Sequence, residues 1–177
     1  ASPYLTFPLR PERKSGFLLP TVATTNQTGF DLTLPYYLNL APNYDATLVV
    51  RPMSKRGLML GGESRYLGET YKGKIAGTYL NHDSELGTDR WLYSMQHNQS
   101  FGSGFTGGWN ISGVSDDDYF KDFSLLAINE ATTTYLPRSV FTGWSNRDWQ
   151  ANVQYTTFQT LGDIVPQYNL VPGVTLN

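Results

Sequence analysis

Three stretches of this chain alternate apolar and polar residues with almost no slippage. Trp149, Ala151, Val153 and Tyr155 interleave with Gln150, Asn152, Gln154 and Thr156; Tyr44, Ala46, Leu48 and Val50 with Asp45, Thr47, Val49 and Arg51; and Trp91, Tyr93 and Met95 with Leu92, Ser94, Gln96 and Asn98. A period of two puts one set on each face of a β-strand. The same rhythm predicts about ten strands, over 17–25, 29–39, 43–53, 57–67, 73–82, 89–99, 104–114, 134–144, 148–160 and 170–176. The links at 41–43, 68–70, 102–104 and 145–147 are short, whereas 83–89 and above all 115–133 are long. Short turns on one side and long loops on the other mark an outer-membrane barrel, with the short side in the periplasm. The link Ser54-Lys55-Arg56-Gly57 is an exception, being short where a long loop is expected.

A soluble β-sandwich also alternates at such intervals. The aromatics favour the membrane, because Trp and Tyr lie near the strand ends while aliphatic or small residues fill the middles. Gly107, Gly77, Ala46 and Ala151 take apolar-face positions where they would pack poorly in a core but sit harmlessly against lipid. The expected fold class is all-β: an antiparallel transmembrane β-barrel wall, running up and down as a meander. No helix of convincing length is expected.

Composition narrows the function more than the fold. The net charge of -2 with interspersed signs gives no basic stripe for nucleic acid. No apolar run approaches the roughly 18 residues of a membrane helix, and mean hydropathy is negative. There is no cysteine to act as nucleophile or metal ligand, and no glycine-rich phosphate loop. Only His82 and His97 are available as imidazole bases. His82, Asp83 and Ser84 are neighbours that alternate sides of an extended chain, so they cannot form a relay by themselves. Asp116, Asp117 and Asp118 lack the alternating spacing of a calcium loop. No catalytic residue, metal or cofactor is assigned. The opening Ala1-Ser2-Pro3-Tyr4 carries no signal peptide and reads as the start of a mature or excised piece.

Specific strings go further. Arg13-Lys14-Ser15-Gly16-Phe17-Leu18, Leu34-Pro35-Tyr36-Tyr37, Leu38-Asn39-Leu40-Ala41-Pro42-Asn43-Tyr44-Asp45-Ala46-Thr47, Met53-Ser54-Lys55-Arg56-Gly57, Arg65-Tyr66-Leu67, Asp89-Arg90-Trp91 and Val114-Ser115-Asp116-Asp117-Asp118-Tyr119-Phe120 follow one another in order. This series closely resembles the start of the barrel domain in the LptD family of lipopolysaccharide-assembly proteins. Past Phe123 the resemblance rests on strand rhythm and Phe158-Gln159-Thr160-Leu161. It implies an outer-membrane lipopolysaccharide translocon, with a lipoprotein plug like LptE in the lumen and a periplasmic bridge like LptA reached through a jelly-roll domain. This sequence contains neither that jelly roll nor the closing strands of a barrel of about 26 strands, a number within the known barrel range. Residues 1–177 are therefore expected to be the first strands of a larger wall, with 1–16 a periplasmic lead-in. Alternatives are a ten-stranded closure as a small porin-like or adhesion barrel, or a soluble sandwich acting as a binding module.

The resemblance also sets expectations for residues. Pro20 and Pro35 fall inside the first two strands, where proline removes a ladder donor. Bulges alone would account for them; the family reading is a lateral gate at the seam of first and last strands. Asp45, Thr47, Arg51, Glu63, Arg65, Gln150, Asn152 and Gln154 fall on the polar phase and are lumen-facing candidates. Lys55 and Arg56, at a junction expected outside the cell, are candidates to meet lipopolysaccharide phosphates. Loop 115–133 is expected to be extracellular or folded into the lumen, since its aromatics need something to pack on.

Overall fold

The computed structural model describes residues 13–123, 135–162 and 170–176. Its strands are β1 (Gly16–Phe17), β2 (Thr21–Thr25), β3 (Gly29–Ala41), β4 (Tyr44–Met53), β5 (Gly57–Leu67), β6 (Tyr71–Leu80), β7 (Arg90–Gly102), β8 (Phe105–Val114), β9 (Tyr135–Ser145), β10 (Gln150–Thr160) and β11 (Leu170–Leu176). One short helix, α1 (Tyr119–Asp122), follows β8. All strands join one antiparallel meander in chain order, with β1 and β2 both pairing β3 as two segments of a single edge. β11, at the other edge, pairs β10. The sheet is not closed within the described residues, and it is consistent with part of a β-barrel.

Registers follow the alternation. Tyr44↔Tyr66, Leu48↔Gly62 and Val50↔Leu60 join β4 to β5, and the phase carries on through Tyr79↔Trp91, Ile75↔Met95 and Trp109↔Val140. This face is exposed: Leu48 is 51%, Leu60 52% and Val140 51% accessible, far too open for the core of a sandwich. Rings crowd its rims. On the short-turn side, Tyr44 and Tyr71 join hydroxyls at 2.5 Å, Tyr66 Oη lies 2.8 Å from His97 Nδ1, and His97 stacks on Trp109 at 4.3 Å. At the opposite rim Trp91 stacks on Tyr93 and Tyr79 donates to Asp89. Aliphatic middles between aromatic rims are what a barrel wall presents to lipid. A Cβ on Gly73 would collide with the Tyr66 ring, so the glycine makes room for a rim tyrosine to lie across the next strand.

The other face differs between its halves. Toward the long loops, Met53, Met59, Leu80, Leu92 and Val114 are buried, with Leu136 and Leu161, beneath Tyr119 and Phe123 of the segment after β8. Toward the short turns the same face is hydrophilic.

Two irregularities break the ladders. From Phe17↔Tyr36 to Thr21↔Thr33 the edge strand advances four residues while β3 advances three, so the edge strand carries one extra residue: a β-bulge at 18–20. A continuous first strand over 17–25 was expected, and the structure splits it there. Farther on, the β8–β9 ladder stops at Ile111↔Arg138 while β9–β10 runs on to Tyr135↔Thr160. Gln159 fills the gap: its Nε2 donates to Val114 O at 2.9 Å, and its Oε1 accepts from Val114 N and from Arg138 Nη2.

Candidate functional site

At the edge, Leu18 N donates to Pro35 O at 2.9 Å. In an antiparallel ladder the N–H and C=O of one residue point the same way, and an opposed pair exchanges both bonds. The nitrogen of Pro35 therefore faces the edge strand, where an N–H would have bonded Leu18 O, and the pairing of β3 with β4 loses nothing. Pro20 lies exposed in the bulge and also has no donor. Pro35 thus thins the bonding between the edge strand and β3, and Pro20 lies where that ladder is interrupted.

The polar-phase residues share the inner face but not one environment. Asp45 accepts from Arg65 through Nε at 2.8 Å and Nη2 at 2.9 Å, and from Arg13 and Tyr37 at 3.3 Å each. Glu63 pairs with Lys74 at 2.8 Å. Arg13, Asn43, Asp45 and Arg65 line a hollow of about 230 Å³. Thr47 sits opposite Glu63. On β10, Gln150 is exposed, Asn152 is half-buried, and Gln154 donates to Thr156 at 3.1 Å.

Arg51 belongs to the other half. It is 1% exposed and clasps Asp31 through Nε at 2.9 Å and Nη2 at 2.6 Å. Arg90, equally buried at the start of β7, binds Asp116 at 2.6 and 2.9 Å, Asp122 at 2.5 Å and Asp83 at 3.2 Å. Arg56 is also turned inward, with Asp83 at 2.9 Å and Asp122 at 3.0 Å. It is therefore not the exposed cation expected at this junction; Lys55 is, with its Nζ on Asn26 O. All three guanidinium groups lie over the Phe123 ring, Arg90 at 4.6 Å from its centre. Burial pushes the Asp83 carboxyl up, but the Glu85 N–H and the Arg56 and Arg90 guanidinium groups outweigh it, and its pKa stands below the ordinary 3.8. Burial holds the Tyr119 phenol above its usual range, and its hydroxyl pairs with Thr78 Oγ1.

Sequence reasoning assigned Asp31, Asp83, Arg90 and Asp122 no place in this cluster. A signal existed in the acidic run after Val114, but alternation does not say which carboxylates return to which strand. His82 and Asp83 do not converge with a hydroxyl: His82 N donates to Asp89 while Asp83 faces the arginines. Asp116 and Asp118 are held by Arg90 and Lys121. Among the described residues no group of three or more His, Cys, Asp or Glu side chains is placed to hold a metal.

An open antiparallel meander, lipid-suited on one face and hydrophilic or filled by its own loop on the other, defines a class: a wall segment of an outer-membrane β-strand protein. The family model described as "LptD: LPS transport system D" matches residues 88–177. The LPS-assembly protein LptD of Bordetella avium is 56% identical over 180 residues, covering 99% of this chain and 23% of that protein. That of Cupriavidus necator is 42% identical, covering 97% and 21%, and that of an Azoarcus species 43% identical, covering 96% and 21%. This chain belongs to the LptD family, one of transport and assembly. It spans about a quarter of the length of the curated relatives it matches.

Proposed function

We propose that this chain forms the first wall strands of an outer-membrane translocon that carries lipopolysaccharide to the outer leaflet through a lateral gate at its first strand. The observation that carries this reading is the edge itself: a strand interrupted at 18–20, facing a proline that withholds its donor on the same side. Lipopolysaccharide has acyl tails that belong in the bilayer and a charged sugar head that does not. A first strand held loosely to β3 can shift, so that its seam with the last strand parts sideways for the tails, while the head crosses over Asp45, Glu63, Arg65, Asn152 and Gln154. Lys55, exposed at the long-loop rim, is available to phosphates. The short turns then face the periplasm, where a bridge like LptA delivers cargo through a jelly-roll domain. A lipoprotein like LptE would occupy the hydrophilic half of the lumen, and lipid would surround the exposed face. The transport needs no covalent chemistry from this chain.

Replacing Pro20 and Pro35 together by residues that can donate, in the full-length protein, should impair lipopolysaccharide export and raise antibiotic sensitivity. Unchanged export and resistance in that double variant would rule the gate out.

A further inference from the structure

We infer that Arg56 is a positioning residue that ties the edge hairpin β2–β3 to the folded segment 115–123, so that the state of that segment governs how firmly the first strand is held. The hairpin tip docks on the turn 54–56: Ser54 N donates to Phe30 O, Phe30 N to Ser54 Oγ, Lys55 N to Thr28 O, Lys55 Nζ to Asn26 O and Arg56 Nε to Gln27 O. Of these three turn residues, Arg56 alone also reaches inward, giving Nη1 to Asp83 on the β6–β7 loop and Nη2 to Asp122 on α1. One planar, permanently charged group thus has a separate edge on each of three segments, a geometry that Arg offers and Lys does not.

β2 is where such a tie counts. It has five residues, a partner on one side only among the described residues, and a bulge behind it. Its remaining restraint lies at the tip. The anchor is rigid because α1 is held independently, by Arg90 on Asp116 and Asp122, by Tyr119 on Thr78, and by Phe123 in the core. Moving α1 withdraws Asp122 from Arg56, which leaves the guanidinium held by Asp83 alone and its Nε less firmly set on Gln27 O. Opening of the edge and displacement of the segment are then reciprocally linked.

The inference rests on the lateral-gate reading for what the hairpin does, but its test involves no transport. Hydrogen exchange is followed in peptides spanning 21–32 of the full-length protein in detergent, purified with its lipoprotein. Asp122→Asn touches no atom of the hairpin, yet exchange there should rise by about 5- to 150-fold, the range of ordinary site coupling. Peptides of β5 and β6 should be unaffected, and Asp122→Glu should restore part of the protection. Faster exchange confined to 115–123 would overturn the inference. Should Asp122→Asn not assemble, Tyr119→Phe frees α1 from Thr78 with every carboxylate in place, and a hairpin unchanged beside a loosened α1 overturns it equally. A gate lost in the proline variant with coupling intact, or the reverse, separates the two ideas.

Discussion

The inner face of this sheet has two halves that share strands, register and alternation and yet behave as different materials. On the loop side, three buried arginines and four aspartates enclose Phe123 above a floor of Met53, Met59, Leu80, Leu92 and Val114. On the turn side, Asp45, Glu63, Arg65 and Lys74 pair across neighbouring strands, with Arg65 56% and Lys74 40% exposed. The backbone is the same in both halves; what differs is whether the chain returns to cover itself. Where it returns, charges lose water and must satisfy one another. Where it does not, Glu63, Arg65 and Lys74 stay partly solvated, ready for another molecule, and Asp45 alone is enclosed by its partners.

The contrast breaks most sharply at Arg90. Arg90→Met leaves Asp116 and Asp122 without their main partner and halves the pairing of buried Asp83, so stability should fall by about 3 to 5 kcal/mol, as when one member of a buried pair is removed. Denaturant unfolding of the full-length protein in lipid measures it; a loss under about 1 kcal/mol would put the cluster on the same footing as an exposed one. A smaller effect follows from acid. The Asp83 pKa is lowered by folding, so its contribution is complete above the ordinary 3.8 and is lost as pH falls through the depressed folded value. Protection of 115–123 should therefore persist at pH 5 and collapse only in stronger acid; loosening between pH 7 and 5 would contradict this. The smallest effect belongs to the turn side, where Lys74→Ala should cost at most about 1 kcal/mol and lose even that in high salt.

How far these halves were legible in the sequence follows from the same difference. Tyr44 to Arg51 shows which side chains share a face, because a period of two is a property of the strand alone. Leu48 and Val50 stand exposed while Asp45 and Arg51 turn the other way. The depth of burial was not legible. Arg51 and Arg65 are equivalent in phase, yet one is enclosed and the other open, because α1 lies over the first only. The edge was half legible: Pro20 and Pro35 could be named, but their joint effect needed the register, which adds one residue between Phe17 and Thr21. Arg56 read as a surface cation because a short charged turn normally is one, and it was Asp83 and Asp122, far along the chain, that drew it in.

The side chain of Gln159 carries a last lesson. A primary amide presents an N–H and a C=O side by side on one edge, as an opposed strand residue does, so it can stand in for a missing strand partner of Val114. A ladder can then stop short at one rim without leaving a bare peptide to hydrocarbon. The wall is free to change its width toward the loops while every strand below keeps its neighbour.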